Sequence, residues 1–241
     1  MVNLIIDIGN TRVKMGVFDK FQIQKKLIWK QLDLKRLKVL LTRYKINQVA
    51  VSSTAGLSPV VERFLKKNHQ LLYLSAKTPL PIKNSYKTPK TLGRDRLAGV
   101  VGAHHLYPGK SCLVIDAGTC ITYDLITKEA NYLGGNIAPG VKMRFKAMHH
   151  FTAKLPEMKQ MNYKTLIGNT TNTALQTGGA LGAVLEMEGF IKAYRKEFSP
   201  LKVIITGGDA DFFENRLKTK IFVNQNLVLI GLNKILDHNA I

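Results

Sequence analysis

The feature that most constrains this chain is a strand–turn–strand pattern that occurs twice. The segment LIIDIGNTRVKMGVF (4–18) is an apolar run, a turn rich in Asp, Gly, Asn and Thr, and a second apolar run, the pattern of a β-hairpin. CLVIDAGTCITYDLI (112–126) repeats it, with Asp-x-Gly-Thr at the turn and branched apolar residues on both sides. Asp7 and Asp116 stand 109 positions apart in a chain of 241 residues, so each copy opens about half of the sequence. Such a duplication predicts two similar domains, 1–110 and 111–241, with equivalent turns facing a shared cleft.

The segments between the hairpins alternate in type. A Lys- and Leu-rich helical stretch (32–45), a strand over Gln48–Ser52, a helix over Pro59–Asn68 and a strand over Leu71–Leu74 predict an α/β class. A loop bearing Pro and Lys (77–90) leads through Thr91-Leu92-Gly93-Arg94-Asp95-Arg96 into a small-residue helix, Leu97–Leu106, and Tyr107-Pro108-Gly109 punctuates the chain. In the second half, the run from Tyr132 to Gly140 precedes a helix, and Thr173–Lys196 reads as one long helix. Its glycines at 178, 179, 182 and 189 suit close helix packing. A last strand, Lys202–Thr206, ends in Gly207-Gly208-Asp209 before another helix.

With 45% hydrophobic and 22% charged residues, the composition is that of a globular protein. No run of about 18 apolar residues is present to span a bilayer. The first apolar run is short and broken by Asp7, so it reads as a buried strand rather than a secretion signal. Cys112 and Cys120, the two cysteines, flank one strand-turn and are expected as reduced thiols in a cytoplasmic protein. The net charge of +20 suits a polyanionic partner or a polyphosphate substrate, but the lysines are scattered, which suits a generally basic, solvated surface.

An acidic residue at a strand end, one residue from a glycine and followed by Asn or Thr, is equipped to handle phosphate. The glycine lets backbone N–H groups approach phosphate oxygens, and the carboxylate can hold hydrated Mg²⁺. One such turn is equally an ordinary hairpin turn; two in equivalent places fit a nucleotide clamp. Neither Gly-x-x-x-x-Gly-Lys-[Ser/Thr] nor a Gly-x-Gly-x-x-Gly after a strand occurs, which weighs against P-loop and dinucleotide enzymes. Gly207-Gly208 could lie flat against an adenine or ribose, or simply turn the chain. Asp95 reads either as a base or as a helix cap, Lys14 as a phosphate contact or a solvated lysine, and Tyr86 as a ligand contact or an exposed aromatic. By position alone, Asp116 could hold Mg²⁺ or another cation. The pairs His104-His105 and His149-His150 cannot easily share an ion, because adjacent helical residues point about 100° apart.

Asp7-Ile8-Gly9-Asn10-Thr11, Gly93-Arg94-Asp95-Arg96, Asp116-Ala117-Gly118-Thr119 and Gly134-Gly135-Asn136-Ile137-Ala138-Pro139-Gly140 stand in the order and spacing of type III pantothenate kinases. Thr152-Ala153-Lys154-Leu155-Pro156 and Thr171-x-x-Ala174-Leu175-x-x-Gly178 resemble later motifs of that family, so the likeness runs from about residue 4 to 208. Arg94 occupies the variable position of its motif. The resemblance implies two duplicated ribonuclease H-like, actin-like ATPase domains with a nucleotide cleft between them. It implies transfer of a phosphoryl group from ATP, with Mg²⁺, to pantothenate. By the same resemblance Asp7, Ile8, Gly9, Asn10, Thr11, Arg12, Val13, Lys14 and Thr119 would bind ATP, and Asp95 would be the base. Asp116 would bind a monovalent cation, K⁺ or NH₄⁺. Tyr86, Gly93, Arg94, Asp95, Arg96 and Thr171 would contact pantothenate. Thr171 would do so across the two-fold interface of a homodimer, and no nucleic-acid or membrane partner is expected. The competing readings are another small-molecule kinase of the same superfamily and, suggested by the basic charge, a nucleic-acid-binding or transcription-accessory protein.

Overall fold

The computed structural model describes residues 1–53 and 56–240. In chain order it begins with β1 (Val2–Ile8), β2 (Val13–Asp19), β3 (Gln22–Trp29), α1 (Leu34–Arg43), β4 (Gln48–Ser53), α2 (Pro59–Asn68), β5 (Gln70–Tyr73), β6 (Lys83–Asn84) and α3 (Arg94–Leu106). There follow β7 (Ser111–Ala117), β8 (Cys120–Ile126), β9 (Asn131–Pro139), α4 (Val141–His150), α5 (Thr171–Gln176), a π-helical turn (Thr177–Leu181) and α6 (Gly182–Glu197). The chain closes with β10 (Leu201–Thr206), α7 (Ala210–Glu214), β11 (Phe222–Val223) and α8 (Leu227–His238). Two compact units result. The first comprises Met1–Pro108, Ala130–Tyr132 and Asn226–Ile241, and the second Gly109–Glu129 and Leu133–Gln225.

The first unit is built on a sheet of order β3-β2-β1-β4-β5. The hairpin strands pair antiparallel, whereas β1, β4 and β5 run parallel. β1 reads as a continuous apolar run because both of its faces are covered. On one face Leu4, Ile6, Val49 and Val51 meet Leu37, Leu40 and Leu41 of α1 and Val61 and Leu65 of α2. On the other lie α3 and α8. These two helices interlock through glycine: a Cβ at Gly102 would overlap the Leu227 carbonyl, and one at Gly231 would overlap the Ala98 carbonyl. That close approach draws α8, the end of the sequence, into the first unit. It also buries Arg96–Ala103 of α3 all round, so α3 shows no amphipathic stripe.

In the second unit the strand order is β11-β10-β7-β8-β9. β7 and β8 form the second hairpin, and β10 runs parallel to β7. Leu113, Ile115 and Tyr123 pack under Phe145 of α4 and Val184, Met187 and Ile191 of α6. The glycine-rich run before α4 is itself a strand, β9; a Cβ at Gly135 would overlap the Tyr123 carbonyl, so only glycine fits this backbone approach. Its first residues, Asn131 and Tyr132, pair with β6 and cluster with the first unit. The helix expected over Thr173–Lys196 is present, running without interruption from Thr171 to Glu197, and it widens into a π-helical turn where Gly178 and Gly179 offer little helical preference. Close packing accounts for Gly179, whose Cβ would strike the Phe145 ring, whereas Gly178, Gly182 and Gly189 meet nothing within 4 Å.

The two units share the positive charge unequally. The first holds 21 Lys and Arg against six Asp and Glu, a balance of +15; the second holds 15 against ten, a balance of +5.

Candidate active site

The first turn joins β1 to β2. Asp7 faces Lys14 and Ile8 faces Val13, which leaves Gly9–Arg12 as a four-residue tip closed by a bond from the Gly9 N–H to the Arg12 carbonyl (3.1 Å). The tip is exposed, while Asp7, at the end of an apolar strand, is 9% exposed. In the parallel register Asp7 stands beside Ser52, so polar groups gather at the carboxyl ends of β1 and β4. That edge is where open α/β sheets place ligands.

The second turn joins β7 to β8 and is one residue shorter. Asp116 faces Thr122 and Ala117 faces Ile121, and the Gly118 N–H donates to the Cys120 carbonyl (2.9 Å). Asp116 is half-buried. Gly207, at φ +99°, lies so close that a Cβ there would overlap the Asp116 carboxylate and the Ala117 carbonyl. Only glycine accepts both that φ and that contact. The Asp209 N–H donates to the Ala117 carbonyl (2.9 Å), and the Gly140 N–H to the Thr119 carbonyl (3.1 Å). α4 therefore starts against this turn, with Lys142 paired to Asp209 at 3.3 Å. Arg144 fixes that start: its Nε donates to the Pro139 carbonyl (2.9 Å) and its Nη2 meets both Glu186 oxygens at 2.8 Å. The N-terminus of α4 thus points at this glycine turn, with the Lys142 charge met by Asp209 and that of Arg144 by Glu186.

Asp95 lies in the first turn of α3. The cap position belongs to Gly93, so Asp95 is not the N-cap; its Oδ1 instead accepts from the Arg96 N–H at 2.9 Å. A Cβ on Gly93 would sit 2.6 Å from that oxygen, so the carboxylate rests on the glycine. The helix dipole favours a negative charge there. Arg96, 7% exposed, places its guanidinium 5.6 Å from the centroid of the Tyr86 ring. Tyr86 is half-buried and lies nearly parallel to the buried Tyr132, with centroids 6.1 Å apart. The Arg94 guanidinium turns back on its own loop.

The first unit thus carries Asp7–Lys14, Tyr86 and Gly93–Arg96, with Tyr86 against Arg96 and Asp95 against Gly93. In the second unit Asp116 and Thr119 share one turn. Thr171 stands apart from that turn in sequence, exposed at the start of α5, where Thr170 and Thr173 form a capping box. Tyr132, Lys142 and Asp209 went unassigned in the sequence, although each lies in or beside a glycine motif. Three of the four paired histidines have partners of their own: His149 Nδ1 lies 2.7 Å from the Leu155 carbonyl, His150 packs on Phe151, and His105 packs on Phe21. Burial lowers the His104 pKa. Among the described residues no three His, Cys, Asp or Glu side chains gather to hold a metal.

A family model described as type III pantothenate kinase matches residues 3–193. Curated proteins named type III pantothenate kinase are 44% identical over 239 residues in Phocaeicola vulgatus and 43% identical over 240 in Christiangramia forsetii, covering 99% of both chains in each case. Among solved structures, a conserved putative Baf family transcriptional activator from Campylobacter jejuni superposes with a TM-score of 0.63 at 22% identity, covering 98% of each chain. A putative N-acetylmannosamine kinase from Listeria monocytogenes gives 0.55 at 13% identity over the full length of both. At such identities the structures speak to the fold alone, an α/β architecture of two ribonuclease H-like domains as in actin-like ATPase kinases. With full-length relatives above 40% identity and the family pattern spanning both Asp-x-Gly turns and Asp95, the chain belongs to the type III pantothenate kinase family.

Proposed function

We propose that this chain uses ATP to phosphorylate the primary hydroxyl of pantothenate, the first step of coenzyme A biosynthesis, and that it works in the cytoplasm. The observation that carries the mechanism is Asp95, whose carboxylate is laid on Gly93 at the positive end of α3. Phosphoryl transfer passes through a loose transition state, so a kinase chiefly aligns the nucleophile and neutralises charge. Asp95 orients the pantothenate hydroxyl and takes its proton as the new O–P bond forms. The bond between the γ-phosphorus and the β–γ bridging oxygen breaks, and ADP leaves. Asp7–Lys14 and Thr119 bind ATP, the exposed glycine tip offering backbone N–H groups and the Asn10, Thr11 and Arg12 side chains. Tyr86, Gly93, Arg96 and Thr171 contact pantothenate.

The donor sets fit the ions such a reaction uses. Asp7 is a single nearly buried carboxylate at a strand end, which suits a hydrated Mg²⁺ held mainly by nucleotide phosphates. Asp116 offers one carboxylate with the backbone of Gly207 pressed against it, hard oxygen and one negative charge, which suits K⁺ or NH₄⁺. When bound, such ions would neutralise charge on the phosphates.

We assign a homodimer, with Thr171 serving the pantothenate site of the second copy. Gly178, Gly182, Leu185 and Gly189 recur at helical spacing on one face; the glycines have open space at their Cβ positions and Leu185 is 57% exposed. Such a face supports close approach by another helix, and closed two-fold pairs are the commonest assemblies.

The deciding experiment is a coupled assay of ADP release with ATP, Mg²⁺ and K⁺, with and without pantothenate. Release that requires pantothenate is expected; release indifferent to it, or none at all, would sink the reading.

A further inference from the structure

The Arg94 side chain is engaged within its own loop. Its Nη1 donates to the carbonyls of Pro89 and Leu92, both at 3.1 Å, and its Nη2 to the carbonyl of Lys90 at 3.4 Å. The loop is also closed from inside: the Thr91 N–H and Oγ1 reach the Thr88 carbonyl at 3.1 and 3.0 Å, and Thr91 Oγ1 lies 3.1 Å from Thr88 Oγ1. Three carbonyls converging on one guanidinium form an acceptor cage that a planar five-donor fork fills. An ammonium would meet it only as a point charge. The caged segment runs directly into Gly93, and Gly93 is the surface on which the Asp95 carboxylate rests. Loosening the cage therefore frees the backbone that sets the height and angle of that carboxylate.

We propose that Arg94 is a positioning residue for Asp95, acting through loop 88–92, and not a ligand of pantothenate. The inference rests on the kinase reading above. The two roles separate kinetically. Truncating a side chain that binds pantothenate directly raises KM for it with kcat held, whereas a mispositioned base lowers kcat. A displacement of about 1 Å at a reacting group costs on the order of 10²-fold.

The test is steady-state kinetics on Arg94→Ala, Arg94→Lys and Asp95→Asn, with thermal melting of each. Arg94→Ala should lose about 10- to 100-fold in kcat while its KM for ATP and for pantothenate stay near those of the unaltered enzyme. Arg94→Lys should recover part of that loss. Added guanidinium ion, at concentrations that leave the melting temperature unchanged, should raise kcat of Arg94→Ala and leave Asp95→Asn where it was. A rise confined to the pantothenate KM would make Arg94 a substrate ligand and overturn the proposal. So would an unchanged kcat, or a kcat loss that neither Arg94→Lys nor guanidinium relieves. If the alanine variant does not fold, Arg94→Lys decides alone: a lysine variant with full kcat overturns the proposal, and one with intermediate kcat and unchanged KM supports it. An unaltered enzyme that releases no ADP with pantothenate removes the kinase reading first, and this inference with it.

Discussion

The two Asp-x-Gly turns begin from nearly the same sequence and end in different situations. In the first, Asn10 adds one residue, and Gly9–Arg12 project as an exposed tip. In the second, the shorter turn is enclosed by Gly140, Gly207 and Asp209, and its aspartate lies under the backbone of Gly207. A duplicated motif thus supplies one exposed tip and one enclosed socket. What separates them is less the turn itself than the neighbours that the rest of the unit delivers to it.

The largest expected effect tests whether either turn does the chemistry. Asp95→Asn should keep the fold and ATP binding and lose about 10²–10⁴-fold in turnover, the usual worth of a general base. Near-normal turnover would remove Asp95 from the mechanism and leave the two turns as the candidates for the chemistry.

Next comes a paired substitution. Gly207→Ala must carry a Cβ at φ +99° into the Ala117 carbonyl. It should cost about 2–4 kcal/mol from strain and overpacking, seen as a melting temperature lower by on the order of 10 °C. At Gly9 the nearest atom to an added Cβ is the Arg12 carbonyl oxygen at 3.5 Å, an ordinary contact. Gly9→Ala should therefore stay within about 0.5 kcal/mol of the unaltered protein while raising KM for ATP, because the methyl occupies the face offered to phosphate. Equal losses of stability in the two variants would show that the turns are braced alike.

Asp116→Ala sharpens the socket assignment. Activity in K⁺ or NH₄⁺ should exceed that in Na⁺, and the variant should lose the difference. Indifference of the unaltered enzyme to the monovalent ion would detach Asp116 from that role.

The smallest effect is chemical. Cys112 is fully buried on β7, and burial pushes its thiol up to about 11, so the reactive thiolate is scarce. Cys120 is partly exposed at the second turn. One equivalent of a thiol reagent should react with the native protein at pH 8 and two with the unfolded chain, and ATP should slow the native reaction if the nucleotide covers Thr119. Two fast native thiols would mean that the second hairpin opens.

Several features were legible residue by residue. Both hairpins and the one-residue difference between their turns are local, because alternating apolar residues and glycine turns specify nearby geometry directly, whereas α3 begins at Arg94, three residues ahead of the helix expected from Leu97. The strand β9 was not legible, since a glycine-rich run reads as a loop until Tyr123 comes to lie where a Cβ of Gly135 would be. The π-helical turn at 177–181 inside the long helix was likewise hidden among glycines read as packing contacts.

By itself, then, the sequence determined the α/β class, the duplication, and the residue types present at each turn and at the start of α3, since all of these depend on near neighbours along the chain. Only the tertiary structure decided that α8 joins the first unit, because Gly102 and Gly231 are 129 positions apart and their mutual fit exists only once α3 and α8 touch. And it decided that the Arg94 guanidinium turns to three backbone carbonyls, a direction set by the path of loop 88–92 that the residue's identity does not contain.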